Sequence, residues 1–265
     1  MRTLVFDIGN TQIKMGVYDN KKLVASWQMM TAVKRTMDEY GLHMRSYLNY
    51  EGIAVESIDE IALASVVPGV TDSIVSAIRR YLNKEPMIIG PGIKTGFRIK
   101  TPNPQEVGAD LIADVAAAIE KTEGPFIVVD FGTATKFEIV NREHEFIGAV
   151  FSPGIGICAE ALAEKAAQLP SFAIQKPSTI LTSTTIECMQ AGVVYGYIGQ
   201  VEYIVRLIKK EMKEPDMKVF ATGGFGSLLV NELSCIDEFD PDLTLNGVLA
   251  IAANNRKRNQ RGTKK

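Results

Sequence analysis

Two short stretches of this chain carry the residue types that grip phosphate. The first is Asp7-Ile8-Gly9-Asn10-Thr11, with Gln12, Ile13 and Lys14 behind it; the second is Asp130-Phe131-Gly132-Thr133-Ala134-Thr135. In each, an apolar run (Leu4 to Phe6, Phe126 to Val129) ends in Asp-x-Gly, and a small amide or hydroxyl residue follows. Glycine lets the backbone come close to a ligand and offers its N–H to an anion. Thr or Asn adds a side-chain donor, and the Asp can hold Mg²⁺ directly or through water. Lys14 is placed to reach a phosphate. One such tetrapeptide is also an ordinary hairpin turn. Two of them, a little under half the chain apart, read as an internal repeat that clamps a nucleotide. A third glycine turn, Thr222-Gly223-Gly224-Phe225-Gly226, follows the apolar run Val219 to Ala221 and suits a nucleoside packed against backbone.

The elements that position these turns follow from period and punctuation. Arg2 to Phe6 and Ile13 to Tyr18 read as a strand hairpin, Asp19-Asn20 as a turn, and Lys22 to Trp27 as a third strand. Ile61 to Val67 is a strand that stops at Pro68-Gly69, after which Ile74, Val75, Ile78 and Leu82 have helical spacing. Met87 to Ile89 is a short strand before a Gly/Pro loop. Pro102-Asn103-Pro104 breaks the chain, and Glu106 to Lys121 reads as a helix with Val107, Leu111, Val115 and Ile119 on one stripe. Glu106, Asp110 and Asp114 recur at the same spacing, which sets like charges one turn to either side of Asp110. Gly192, Gly196 and Gly199 form a small-residue face on a helix that invites close packing within or between subunits. The repeat divides the chain into an α/β domain over 1–121, a second over 122–255, and a basic, disordered tail over 256–265.

Composition excludes several classes. Apolar residues make up 46% of the 265 residues and charged residues 23%, a globular balance. A net charge of -2 argues against a nucleic-acid binder, the basic tail notwithstanding. Two histidines and three scattered cysteines give neither zinc spacing nor a disulfide framework. The apolar stretch Ala191 to Ile208 is broken by Gln200, Glu202 and Arg206, so no membrane span is expected, and the chain reads as cytosolic.

Taken in order, the motifs resemble the type III pantothenate kinases, of the acetate and sugar kinase/Hsp70/actin superfamily. The resemblance rests on Asp7-Ile-Gly-Asn-Thr11, Ser65-Val-Val-Pro68, Asn103-Pro104-x-x-Val107-Gly108-Ala109-Asp110 and Asp130-Phe-Gly-Thr-Ala-Thr135. It continues through Ser152-Pro-Gly-Ile155, Gln190-Ala-Gly192 with Gly196 and Gly199, Thr222-Gly-Gly224 and Leu243-Thr-Leu-Asn-Gly247. It implies two related α/β domains of the actin/Hsp70/sugar-kinase (ribonuclease H-like) type, with mixed sheets, flanking helices and a nucleotide cleft between them. It implies transfer of the γ-phosphate of ATP, with Mg²⁺, to the primary hydroxyl of pantothenate, the first step of coenzyme A biosynthesis. Asp110 matches the proton acceptor. Asp7, Ile8, Gly9, Asn10, Thr11, Gln12, Ile13 and Lys14 match the first ATP segment, and Thr133 a further ATP contact. Thr101, Gly108, Ala109, Asp110, Leu111 and Thr185 fall on substrate-binding positions, and Asp130 on the ligand of a monovalent cation, K⁺ or NH₄⁺. The family is homodimeric, with neither nucleic acid nor membrane as a partner. A carboxylate at position 110 suits this chemistry, because a primary alcohol is a poor nucleophile until its proton is taken.

Some positions depart from the pattern. Leu111 stands where the family usually has Arg, which would pair with a carboxylate or phosphate in a bidentate fork. Thr101 replaces a Tyr, Lys136 a Thr, and Gly148-Ala149 a Gly-Gly pair. Lys136, Lys100 and Arg98 are candidates to restore the missing cation, and an Arg restored at 111 is expected to tighten pantothenate binding. The departures leave open a kinase of this fold with a changed acceptor, and a catalytically weak nucleotide-binding regulatory paralogue.

Overall fold

The computed structural model describes residues 1–165 and 169–262, the side chains of 257–262 excepted. The chain forms two compact units. The first comprises Met1–Arg98, Pro102–Glu120 and the segment from Asp242 onward; the second comprises Ile99–Thr101 and Lys121–Pro241.

In the first unit, β1 (Arg2–Ile8), β2 (Gln12–Asp19) and β3 (Lys22–Met30) form an antiparallel meander. β4 (Ile58–Ser65) joins β1 in parallel and β5 (Met87–Ile88) joins β4, giving the order β3-β2-β1-β4-β5. Strand alternation sorts the two faces. Leu4, Phe6 and Ile8 with Ile13, Met15 and Val17 enter a core shared with α1 (Met37–Tyr50) and α2 (Pro68–Ala77). Thr36 caps α1 reciprocally with Glu39, and Tyr40, Met44 and Leu48 bury its inner stripe. The other face carries Thr3, Val5, Asp7, Lys14, Gly16 and Tyr18. It is covered by α3 (Ala109–Ile119) and α7 (Leu243–Gly262), and the Tyr18 hydroxyl donates to Asn246 Oδ1 at 2.7 Å.

The second unit repeats the plan. β7 (Phe126–Phe131), β8 (Ala134–Val140) and β9 (Glu145–Pro153) form the meander. β10 (Lys218–Thr222) joins β7 in parallel, β11 (Glu238–Phe239) joins β10, and the short β6 (Arg98–Ile99) borders β9. The order β9-β8-β7-β10-β11 matches β3-β2-β1-β4-β5 strand for strand, so the repeat expected from the two Asp-x-Gly turns extends through the whole sheet. Ile127, Val129, Phe131 and Phe137 pack with Ile155 of α4 (Ile155–Lys165) and Val194, Tyr197, Val201 and Val205 of α5 (Thr185–Met212). The short α6 (Gly226–Leu229) follows the glycine turn after β10.

Three expectations are corrected. The helix near residue 110 starts at Ala109, not Glu106, because Pro104 to Glu106 form a separate 3₁₀ turn. The boundary at 122–255 does not hold for the C-terminal segment. Residues from Asp242 onward belong to the first unit, where α7 packs on α3, β1 and β4. The expected tail is helical at its start: α7 runs to Gly262, and Arg256 forms an ion pair with Glu60. The remainder of that tail, 263–265, lies outside the described residues. No helix among the described residues is long and apolar enough to cross a membrane.

Candidate active site

In the first unit, the first phosphate turn and Asp110 lie at one end of the sheet. β1 delivers Asp7 to its carboxyl end, paired in register with Lys14. Asn10, Thr11 and Gln12 are exposed in the turn, while Ile8 and Ile13 are buried beneath it. Those two can offer a ligand only their backbone. The turn is tied down from behind: Gly9 N–H donates to the Gln12 carbonyl at 3.0 Å, Thr31 N–H to the Thr11 carbonyl at 2.9 Å, and Thr31 Oγ1 to the Gly9 carbonyl at 2.7 Å. Lys14 Nζ lies 2.8 Å from Asp242 Oδ1, just before α7 begins. Glu60, paired with Arg256, opposes Thr3 in the β1–β4 register, so the far part of α7 lies towards the other end of the sheet. α3 runs the same way, because Glu120 at its end meets Lys21 in the β2–β3 turn. Both helices therefore start at the end that carries Asp7. Helix N-termini favour anions through their free N–H groups and dipole.

Asp110 sits in the first turn of α3, half-buried, and its Oδ1 accepts from the Leu111 N–H at 2.9 Å. Gly108 caps this helix, and a Cβ there would lie 2.4 Å from Asp110 Oδ1. A side chain at Gly108 would therefore push the Asp110 carboxylate aside. The expected stripe of three carboxylates is not formed. Glu106 is exposed in the preceding turn and accepts from Asn103, whereas Asp114 is fully buried one turn into α3. Ala109 is buried beside them.

In the second unit, Thr133 is exposed at the tip of the second turn, whose Thr133 carbonyl accepts from Gly154 N–H at 3.0 Å. This repeats the Thr31–Thr11 tie of the first turn. Two glycines press on it from outside. A Cβ on Gly154 would lie 2.4 Å from the carbonyl oxygens of Gly132 and Thr133, and one on Gly223 would lie 2.4 Å from Asp130 Oδ1. Gly223 also has φ +96°, which a side chain would strain. The Ser152-Pro-Gly-Ile155 and Thr222-Gly-Gly224 motifs thus support one turn. Thr135 is fully buried, hydrogen-bonded to the Tyr197 hydroxyl on α5, so it anchors the turn. Burial pushes that tyrosine up to about 12, which keeps its proton in place.

The remaining expected positions are spread over other elements. Thr185 opens α5, exposed, next to the cap Thr184. Thr101 buries its hydroxyl with no hydrogen-bond partner. Of the proposed substitutes for the missing Arg, Lys100 pairs with Glu145 at 3.0 Å and Lys136 with Asp130 at 2.7 Å; Arg98 is exposed on β6. Asp242, the partner of Lys14, was not visible in the sequence as a site residue, because its position depends on α7 returning to the first unit.

Leu111 is only 7% exposed. This sets a burial cost against the gain expected of Leu111→Arg. An Arg there brings a charge into a largely buried position on α3, which costs several kcal/mol wherever it finds no partner. A melting temperature lowered by several degrees, with no gain in pantothenate affinity, is the expected result by differential scanning fluorimetry and calorimetry.

The comparisons with known proteins agree with this geometry. Residues 3–207 match the family model for type III pantothenate kinases. The chain is 45% identical over 261 residues to a type III pantothenate kinase of Agathobacter rectalis, covering 98% of this chain and 99% of that one. Among solved structures it is similar to a conserved putative Baf family transcriptional activator from Campylobacter jejuni (TM-score 0.58, 19% identity, 96% of this chain and 99% of that one). It is also similar to the activator of 2-hydroxyisocaproyl-CoA dehydratase from Clostridium difficile with bound ADPNP (TM-score 0.54, 13% identity, 100% and 97%). At these identities the two structures support the fold alone: α/β, of the actin/Hsp70/sugar-kinase class. The family model and the Agathobacter relative carry more, and this chain belongs to the type III pantothenate kinases.

Proposed function

We propose that the chain phosphorylates pantothenate with ATP, Asp110 taking the proton of the primary hydroxyl. As that O–H proton moves to the Asp110 carboxylate, the hydroxyl oxygen bonds to the γ-phosphorus. The bond from that phosphorus to the β–γ bridging oxygen breaks, and ADP leaves. Membership of the family supports the reaction. The observation that carries the assignment of the base is Asp110 itself: a half-buried carboxylate in the first turn of α3, beside a glycine that leaves it room. The exposed Asn10, Thr11 and Gln12 hold nucleotide phosphate in this reading. Asp7, partly exposed at its strand end, offers a hard carboxylate oxygen of the kind that would hold Mg²⁺ together with phosphate oxygens and water. When bound, that ion neutralises charge developing on the phosphates. A panel of small primary alcohols tests the acceptor: ADP release should depend on pantothenate and on none of the others. Equal release with an unrelated alcohol would assign the site to a different acceptor.

The monovalent cation does not fit as expected. The Asp130 carboxylate already holds the Lys136 ammonium.

We also infer a homodimer built on α5, in a cytosolic setting. Gly192, Gly196 and Gly199, with Tyr203 and Leu207 further along, lie on one face of this helix and are all exposed. A Cβ on any of the three glycines would meet nothing within 4 Å in the chain. A second copy of the same face would bring two helices close together. Gly196→Arg is expected to give a monomer by light scattering, at unchanged secondary structure; a dimer of unchanged affinity would place the interface elsewhere.

A further inference from the structure

We propose that the Lys136 ammonium serves as this chain's monovalent cation, standing on Asp130 in place of K⁺ or NH₄⁺ and freeing the reaction from both ions. The proposal rests on the kinase reading above.

Asp130 and Lys136 are partners in the β7–β8 register, so both side chains leave the same face of the sheet. That face is opposite the one that packs on α4 and α5. Lys136 Nζ lies 2.7 Å from Asp130 Oδ2, and the two side chains are only 12% and 13% exposed. The rest of the carboxylate is walled in. Gly223 leaves no room even for a methyl beside Oδ1, and a Cβ on Gly132 would touch Oδ2 at 3.4 Å. An ion arriving from solution would therefore have to displace the lysine from a carboxylate it already neutralises.

The chemistry of the two occupants is the same. A lysine head is an alkylated ammonium ion: one positive charge and three N–H donors on a compact centre. It matches NH₄⁺ in everything but its fourth bond, which tethers it to the chain. Tethering removes the dependence on concentration, because the cation is present whenever the protein is folded. The first turn has a lysine in the matching register: Lys14 opposes Asp7, and its ammonium lies 2.8 Å from Asp242.

The wild-type protein needs no variant for the first test. Pantothenate-dependent ADP release is measured with Mg²⁺·ATP in tetramethylammonium buffer, then with added KCl or NH₄Cl. Rates within about twofold across the series are expected, and a rise of tenfold or more with K⁺ or NH₄⁺ would overturn the proposal. Lys136→Thr restores the residue the family usually has. It should lose activity on the order of 10²-fold in tetramethylammonium, as when one preorganised cationic or donor group is removed, and recover it in K⁺ or NH₄⁺. A variant equally active in all three salts would show that no cation is needed at Asp130. Nucleotide affinity by calorimetry is the second readout. It should be salt-independent in the wild type, but about tenfold weaker in tetramethylammonium than in K⁺ in Lys136→Thr. Equal affinity for both proteins in every salt would overturn the proposal. This arm decides the matter even if pantothenate is not turned over, an outcome that counts against the acceptor and not against the lysine.

Discussion

Asp110→Asn should lower kcat for pantothenate phosphorylation by about 10²–10⁴, the usual contribution of a positioned general base. Affinity for ATP should stay within about twofold, since nucleotide contacts are assigned elsewhere. The substitution is close to isosteric. Asn offers an Oδ1 that can still accept from the Leu111 N–H, so the first turn of α3 keeps its 2.9 Å hydrogen bond. The lost charge removes at most about 2 kcal/mol of interaction with the helix N-terminus, the upper figure for a partly buried group. What the amide cannot do is accept a proton. Single-turnover rates and ATP titrations on the same preparation separate the two effects. A kcat within a few-fold of wild type would remove Asp110 from the mechanism.

Gly247→Ala is expected to be the most damaging small substitution in the first unit. α7 crosses α3 so closely that a Cβ on Gly247 would lie 1.7 Å from the Ala113 carbonyl oxygen and 2.4 Å from its carbon. Both are backbone atoms, so no rotamer change relieves the contact. The helices must separate, which places the cost near or above 3 kcal/mol, the upper end of overpacking effects. For a chain of this size that lowers the melting temperature by roughly 10 °C. Activity should fall with it, because α3 carries Asp110. Gly90→Ala is the control: an added Cβ there meets nothing, and its φ is not positive. A Gly247→Ala protein that melts with the Gly90→Ala control would contradict this reading of the helix crossing.

Much of this architecture was legible in the sequence, and the failures have physical causes. The β1–β2–β3 meander showed because each strand is apolar and bounded by turn residues. The repeat showed because both phosphate turns need the same residues at a strand end. α1 escaped notice: Tyr40, Met44 and Leu48 are spaced a full turn apart, but the exposed Leu42 and Tyr50 blur the stripe, though the Thr36-x-x-Glu39 cap was a usable signal. The return of α7 to the first unit is a long-range packing event with no local mark. Its one trace was Gly247, whose purpose appears only beside Ala113. Lys136 was visible as a departure from the family, but its target was not. A shift of one residue in strand register would have turned its side chain to the other face of the sheet. Register also decides that the lysine meets Asp130.

The central claim is phosphoryl transfer from ATP to pantothenate, and isotope-labelled ATP tests it directly. Folded protein would be incubated with pantothenate, Mg²⁺ and ATP carrying ¹⁸O on its γ-phosphate, and the products read by mass spectrometry. The account predicts phosphopantothenate bearing the labelled phosphoryl group, formed in step with ADP. Unmodified pantothenate, in a sample shown to be folded and to bind ATP, would contradict it.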